Sequence, residues 1–264
     1  MRLTVVGCSG SMSGPDSAAS AYLVEARGPG EDGAERTWSI VLDLGPGAMG
    51  ALLNHVDPRE LDAVVLSHLH ADHMVDLIGM QVYRRWHPDG PLPPLDVHGP
   101  AGTLERTRAV GGDDEDEDYS DVLTFRTLST GTPVAVGPMT VEVFDAWHPV
   151  PAFGIRVTGP SEDGAGTVSL GYTGDTDSCP GQDAMAQGLD LLLSEAAFQE
   201  DRDEARGIHL TGRRAGELAV TGGVGRLVLT HVQPWTDKPT VLDEARSVYD
   251  GQVDLAAPGA TWVL

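Results

Sequence analysis

A cluster of side chains that commonly bind metals lies in one short stretch of the sequence. Residues 67–73 read SHLHADH, which places three imidazoles and one carboxylate within six consecutive positions. The cluster follows a predicted buried strand and precedes a helical pattern, so we expect a loop at the carboxyl end of a strand, where α/β sites usually form. Burying these groups is costly unless they bind something, and imidazole with carboxylate suits zinc, iron or manganese. The spacing therefore predicts a metal site.

Three more residues extend this pattern along the chain: His148 in AWHPVPAFGIRV, Asp175 in YTGDT and His231 in LTHVQPW. With the cluster, they resemble the His-x-His-x-Asp-His signature of the metallo-β-lactamase superfamily and its later ligands, in the same order. The resemblance implies two divalent ions, expected to be zinc, with manganese or iron as alternatives. One ion would be held by His68, His70 and His148, and the other by Asp72, His73 and His231, with Asp175 bridging both.

Two further motifs resemble the ribonuclease Z branch of that superfamily. His209 begins HLTG ahead of RRAGELA, and Glu195 lies in SEAAF. The resemblance implies that His209 is catalytic and donates a proton or a hydrogen bond to a phosphoryl or leaving oxygen. Glu195 is expected to orient His209, or only to anchor its loop. The same resemblance gives Asp72 a second role, which is to orient the attacking water.

A narrower resemblance covers nearly the whole chain. It rests on the amino-terminal GCSGSMSGPDSAASAYLVE together with the LSHLHADH, HPVPAFGIRV, YTGDTD, HLTGRRAGELA and LTHVQPWTD segments. These are similar to an actinobacterial group of metallo-β-lactamase-fold proteins that includes an atypical class II cyclic-nucleotide phosphodiesterase. The resemblance implies hydrolysis of a small phosphodiester such as 3′,5′-cyclic AMP, by a hydroxide that bridges the two metals.

Three other functions remain open. A tRNA 3′-end endonuclease would use the same residues, but the formal net charge of −23 opposes binding to a polyanion. The short interval between His148 and Asp175 leaves room for a hairpin and not for the long arm common in ribonuclease Z. Lactone or thioester hydrolysis would need only a carbonyl in place of the phosphorus. A non-catalytic metal-binding or scaffold protein would be indicated by a missing ligand, and none is missing.

The elements that must position these residues are short strands interleaved with helices. Apolar or β-branched runs predict strands, and the helical patterns fall at 74–86, 211–221 and 241–249. The predicted strand runs lie at 3–6, 39–44, 63–67, 122–127, 140–144, 168–172, 189–193 and 227–230. This order predicts an α+β fold, an αββα sandwich of two mixed sheets faced by helices, as one domain over residues 1–264. The acidic segment 111–121 is predicted to be a solvated loop.

Composition limits the surroundings and partners of the protein. No apolar run approaches about 20 residues, and Cys8 and Cys179 are the only cysteines, so we expect a cytoplasmic protein that does not enter membranes. The expected partner is a small anionic substrate, a cyclic nucleotide, and not nucleic acid. The resemblance to the ribonuclease Z branch, whose members are commonly dimers, implies a homodimer. Asp43 is expected to support the metal loop through hydrogen bonds, and Trp235 to be a packed loop aromatic, with base stacking as its alternative.

Overall fold

Two mixed β-sheets form from the alternating and continuous apolar runs of the chain. The computed structural model describes residues 1–264. The first sheet holds β1 (Arg2–Ser9), β2 (Ala18–Ala19), β3 (Ala21–Pro29), β4 (Glu35–Leu42), β5 (Ala63–Val65), β6 (Leu95–Gly99), β7 (Leu123–Thr127) and, from the end of the chain, β15 (Thr261–Val263). The second holds β8 (Val134–Val136), β9 (Met139–Asp145), β10 (Phe153–Pro160), β11 (Thr167–Tyr172), β12 (Leu191–Glu195), β13 (Arg226–Thr230) and β14 (Gln252–Leu255).

Seven α-helices and one short 3₁₀ helix connect the strands. The helices are α1 (Ala48–Leu52), α2 (Ala71–Met74), α3 (Leu77–Arg85), α4 (Thr103–Gly111), α5 (Pro180–Met185), α6 (Gly212–Gly222) and α7 (Lys238–Arg246), and the 3₁₀ turn is Pro58–Glu60. None of these helices is long and apolar enough to span a membrane. β4 to β7 run parallel to one another, as do β11 to β14, whereas β1, β3 and β4, and likewise β8 to β11, are joined by antiparallel pairing.

Three apolar cores hold the layers together. The largest lies between the facing sheets and includes Leu3, Ile40 and Tyr172. A second packs α1 to α3 and part of α4 against the outer face of the first sheet, and a third packs α5 to α7 against the outer face of the second. Helix, sheet, sheet and helix are therefore stacked in that order, and the predicted αββα architecture is confirmed.

The predicted elements are found with shifted ends and with one interruption. All eight predicted strands are present, but seven further strands were not predicted, namely β2, β3, β6, β8, β10, β14 and β15. The helix predicted over 74–86 is divided into α2 and α3. Leu44 explains the break, because its N–H bonds to the His73 carbonyl at 2.7 Å and its own carbonyl accepts from the Asp76 N–H at 3.1 Å. The His73 carbonyl and the Asp76 N–H are therefore bonded to Leu44 and not to other residues of one continuous helix.

The acidic segment 111–121 is not only a solvated loop, which corrects that prediction. Most of its side chains are exposed, but Tyr119 is 1% exposed and belongs to the second apolar core. The Tyr119 hydroxyl donates to Asp113 at 2.5 Å, and Arg85 pairs with Glu117 at 3.0 Å and with Asp121 at 2.6 Å. Glu117 and Asp121 thus pair with Arg85 of α3, and the segment lies against the second apolar core.

Replacing Tyr119 with alanine is therefore expected to lower the free energy of unfolding by about 3 kcal/mol, because a buried ring is lost and a cavity remains. Tyr119→Phe keeps the ring, removes only the hydroxyl, and is expected to cost about 1 kcal/mol. Urea denaturation followed by circular dichroism measures both. Equal stability of Tyr119→Ala and the wild type would contradict the packing described for this segment.

Candidate metal centre

The predicted site residues lie on loops at one edge of the sandwich. The cluster at 67–73 follows β5, Asp175 follows β11, and His231 follows β13, so these loops leave the carboxyl ends of parallel strands. His148 follows β9, and an isolated bridge between His68 and Ala152 brings its loop against the cluster. The chain thereby gathers residues that are up to 163 positions apart because the two sheets face each other at this edge.

Three histidines form the first half of the site. His70 Nδ1 lies 3.1 Å from His68 Nε2 and 3.1 Å from His148 Nε2. Burial, the largest influence, lowers the pKa of each of these imidazoles, most strongly for His68. Three neutral rings that direct nitrogen atoms towards one point can hold a metal ion, as imidazole coordinates through its unprotonated nitrogen.

Two histidines and two aspartates form the second half. His73 Nε2 lies 3.4 Å from Asp72 Oδ2 and 3.2 Å from Asp175 Oδ1, and His231 Nε2 lies 3.4 Å from Asp175 Oδ2. Asp175 Oδ2 also approaches His68 Nε2 at 3.8 Å. Asp175 is thus the carboxylate between the two halves, the position that a bridging ligand requires.

The arrangement of the donor atoms fits bound metal ions better than it fits hydrogen bonds among the donors themselves. His73 Nε2, His231 Nε2 and Asp175 Oδ1 are buried and make no hydrogen bond. A buried polar atom without a partner costs roughly 1–3 kcal/mol, so three together need an explanation, which divalent ions would supply. Imidazole and carboxylate donors suit zinc, manganese and iron alike, so the donor set does not select among these metals.

Asp43 supports the metal loop, in agreement with its expected role. It is fully buried and accepts four hydrogen bonds, from the Ser67 N–H at 2.7 Å, the Ser67 hydroxyl at 2.8 Å, His73 Nδ1 at 2.7 Å and the Tyr172 hydroxyl at 2.7 Å. Because Asp43 binds Nδ1–H of His73, Nε2 is the ring nitrogen that faces Asp175. The Ser67 and Tyr172 contacts were not predicted.

Two other candidate ligands are oriented in the same way. His231 Nδ1 lies 3.0 Å from the Ser20 hydroxyl, and His148 Nδ1 donates to the Ile208 carbonyl at 2.9 Å. Each contact fixes which ring nitrogen faces the site. Sequence analysis missed Ser20, because a serine between apolar strand residues carries no signal that it faces a histidine 211 positions away.

Close backbone contacts at two glycines explain the sequence around the ligands. A Cβ at Gly45 would lie 2.0 Å from the Asp72 carbonyl oxygen, and a Cβ at Gly10 would lie 2.1 Å from the His231 carbonyl oxygen. His231 itself has φ of +56°, a left-handed conformation that is strained for a residue with a side chain. The close contacts at Gly10 and Gly45 thus fix the backbone of His231 and Asp72.

His209 and Glu195 lie beside the two halves of the site. His209 Nδ1 is 2.9 Å from Glu195 Oε1 and 3.8 Å from Asp175 Oδ2. Burial disfavours the charged ring, but the Glu195 carboxylate outweighs it and raises the pKa of His209 to about 9. Glu195 also accepts from the N–H groups of Thr176 and Ala197, at 3.0 and 3.1 Å. It therefore both orients His209 and anchors the adjacent backbone, so both expected roles are present in the geometry.

Two tryptophans beside the site are exposed. Trp235, expected to be a packed loop aromatic, has 61% of its surface exposed, so that prediction is wrong. Trp147 precedes His148 and is 47% exposed. Its indole is held against Gly207, where a Cβ would come within 2.7 Å of Nε1. Exposed indoles on the loops of His148 and His231 leave open the alternative of stacking on a base.

Comparison with known proteins establishes the family. The model of the β-lactamase superfamily domain matches residues 39–232, which include all seven candidate ligands. The chain belongs to the β-lactamase superfamily. Within it, the chain is 40% identical over 266 residues to an uncharacterized protein of Mycobacterium leprae, covering 99% of this chain and 88% of that protein. It is 31% identical to the probable metallo-hydrolase YhfI of Bacillus subtilis, with 99% of each chain covered.

Solved structures of the superfamily agree with this fold. The crystal structure of the metallo-β-lactamase fold protein YhfI from Bacillus subtilis superposes with a TM-score of 0.84 at 27% identity, covering 99% of this chain and 98% of that one. Human tRNase Z, short form, superposes with a TM-score of 0.72 at 20% identity, with 99% and 98% covered. At that lower identity the likeness concerns the fold alone.

Replacing Asp175 with alanine is expected to abolish hydrolysis and to lower the bound metal, because one carboxylate approaches the donors of both halves. Metal per chain, measured by inductively coupled plasma mass spectrometry after purification, is the main measurement. Asp190→Ala is the control, since Asp190 bonds only to Ser169 in the second sheet. An active Asp175→Ala protein with full metal content would show that the ligands are wrongly identified.

Proposed function

We propose that this chain is a metal-dependent phosphodiesterase that cleaves a small phosphodiester such as 3′,5′-cyclic AMP. Membership of the β-lactamase superfamily and the relation to a probable metallo-hydrolase support metal-dependent hydrolysis. The finer proposal, a phosphodiester and in particular a cyclic nucleotide, extends the resemblance to the actinobacterial phosphodiesterase group. It would yield a nucleoside monophosphate by opening the cyclic ester.

The observation that carries the proposal is His209 beside the metal-binding groups. Glu195 binds Nδ1 at 2.9 Å, which leaves the Nε2–H as the part of the ring that can reach a substrate. With its pKa raised to about 9, the ring carries a proton at neutral pH. A protonated imidazole is suited to stabilise charge on phosphoryl oxygens or to protonate the departing ribose oxygen. In the branch that the chain resembles, the His209 motif is typical of phosphodiesterase members, which counts against lactone or thioester hydrolysis.

The other residues of the site have separable roles. Divalent ions held by the seven ligands would make a water molecule more acidic and draw charge from the phosphoryl oxygens. The Asp72 carboxylate, 15% exposed, would accept a hydrogen bond from the attacking water and orient it. His209 would act on the opposite, leaving-group side of the phosphorus. The exposed faces of Trp147 and Trp235 would be available to a nucleobase.

A tRNA 3′-end endonuclease is the second candidate, because the chain is 27% identical to ribonuclease BN of Salmonella paratyphi C, with 94% and 95% of the chains covered. Two features favour a small substrate instead. The interval between His148 and Asp175 is filled by the β10–β11 hairpin, which closes at residues 161–166. The net charge of −23 repels a long polyanion.

Four further expectations complete the proposal. Zinc is the proposed metal, a homodimer the proposed assembly, a single enzyme domain over residues 1–264 the proposed organisation, and the cytoplasm the proposed location. They follow from the resemblance to the ribonuclease Z branch and from the sparse cysteines. Metal analysis of protein from unsupplemented culture and ultracentrifugation at several concentrations address the first two.

Replacing His209 with alanine is expected to lower turnover by roughly 10²–10⁴-fold, because a general acid or charge-stabilising group is lost. Metal content should stay near that of the wild type, since His209 is outside the two ligand halves. His55→Ala, on an exposed turn, is the matched control. Unchanged turnover would reduce His209 to a structural residue and would remove the main support for phosphodiester chemistry.

The substrate test compares 3′,5′-cyclic AMP, 2′,3′-cyclic AMP and a precursor tRNA, each incubated with protein of known metal content and analysed by chromatography. We expect cleavage of a cyclic nucleotide to a monophosphate, with the tRNA intact. Cleavage of the tRNA at its 3′ end alone would favour the endonuclease. If no phosphodiester is cut, the proposed substrate class is wrong, and lactones and thioesters become the next compounds to assay.

A further inference from the structure

A second buried carboxylate lies two positions after Asp175. Asp177 is fully buried and accepts from Arg206 Nε at 2.5 Å, Arg206 Nη2 at 3.1 Å and Arg214 Nη1 at 2.8 Å. Burial opposes its ionisation, but the two arginines and nearby N–H groups outweigh that and hold the pKa of Asp177 at about 2. One carboxylate therefore pairs with two guanidinium groups.

The same carboxylate fixes the backbone ahead of His209. Asp177 Oδ2 accepts from the Gly207 N–H at 2.8 Å. The His209 carbonyl accepts from Arg214 Nη1 at 3.1 Å, the same nitrogen atom that binds Asp177. His148 Nδ1 donates to the Ile208 carbonyl at 2.9 Å. Each of the three residues 207–209 is thus bound at a backbone atom.

In the segment before these anchors, Arg202 and Asp203 are bound to Ala197, Gln199 and Thr236, and residues 204–206 make no backbone hydrogen bond. Residues 201–206 are mostly exposed, and Arg206 keeps 54% of its side chain in solvent. An exposed segment that leads directly into a functional histidine would transmit its motion to that histidine unless it were fixed at the junction. The junction is Gly207, and the group that binds its N–H is Asp177.

We infer that Asp177 is a positioning residue, which holds His209 at a fixed place relative to Asp175. This inference rests on the proposed phosphodiesterase function, in which His209 acts on the substrate. Asp177 is not among the candidate metal ligands, and its side chain bonds to Arg206, Arg214, Gly207 and Ser178. It connects the loop of Asp175 to the loop of His209 through Gly207, Arg206 and Arg214, and it complements Glu195, which fixes the imidazole ring.

The first variant is Asp177→Asn, which keeps the shape of the side chain and removes its charge. We expect kcat for the cleaved cyclic nucleotide to fall about 10- to 100-fold, as for residues that orient an active group from outside, while KM and metal per chain stay near the wild type. Asp62→Asn is the matched control. Asp62 also binds an arginine, Arg36, and a backbone N–H, that of Ser39 at 2.7 Å, but in the first sheet away from the site.

A double-mutant cycle separates positioning from a general structural role. If Asp177 acts through His209, then Asp177→Asn added to His209→Ala should lower kcat by less than about 2-fold more, because the group it positions is already absent. A further loss as large as in the single variant would overturn the inference. Loss of bound metal in Asp177→Asn would also overturn it, because the effect would then pass through Asp175.

Proteolysis tests the same contact without any substrate. Trypsin should cut metal-loaded Asp177→Asn after Arg206 several times faster than the wild type or Asp62→Asn, since Arg206 and Gly207 lose their contact with the Asp177 carboxylate. Identical cleavage rates would contradict the proposed anchoring. If the wild type cleaves no phosphodiester while the loop is released in the variant, then the proposed function fails and the anchoring stands.

Discussion

The buried carboxylate of Asp43 is the contact on which the rest of the site depends. It has no exposed surface and receives four hydrogen bonds, two from Ser67, one from His73 and one from Tyr172. Ser67 and His73 are the first and last residues of the ligand loop 67–73, which follows β5 of the first sheet. Tyr172 is the last residue of β11 in the second sheet. One side chain thus links the loop to both layers of the sandwich. A carboxyl group at this depth is tolerated only because the polar groups around it bond to it.

That constraint explains how ring nitrogens of several histidines can be presented together. Asp43, Ser20 and the Ile208 carbonyl each bind the outer nitrogen of a different histidine, so the inner nitrogens of these three rings face the site. The arrangement leaves buried donor atoms without partners, which destabilises the protein by itself. The fold therefore carries an energetic cost that bound ions would offset, and metal binding and folding stability are expected to be coupled.

Sequence analysis could predict the parts of the site whose signal is local. The spacing of 67–73, and the strand-like runs before Asp175 and His231, suffice to place ligands at strand ends and to predict a two-sheet sandwich. Contacts that join distant segments leave no such pattern. The break between α2 and α3 is due to hydrogen bonds from Leu44, and the burial of Tyr119 is due to a core that only the folded chain forms. Asp177 was visible as part of a motif, but its arginine partners follow only from the fold.

Charge sets one further condition on the substrate. With a net charge of −23, the chain repels phosphates at long range, but at physiological salt surface charges are screened beyond about 8 Å. Attraction has to arise within the site, at contact distance. Arg206 and Arg214 contribute little to it, because both pair with Asp177 and Arg214 also approaches Glu200 at 3.6 Å. Positive charge beside the candidate ligands would come from the protonated ring of His209 and from any bound divalent ions, which invert the local field. Such a short-range attraction can bind one phosphoryl group, but it does not attract the other phosphates of a long polyanion.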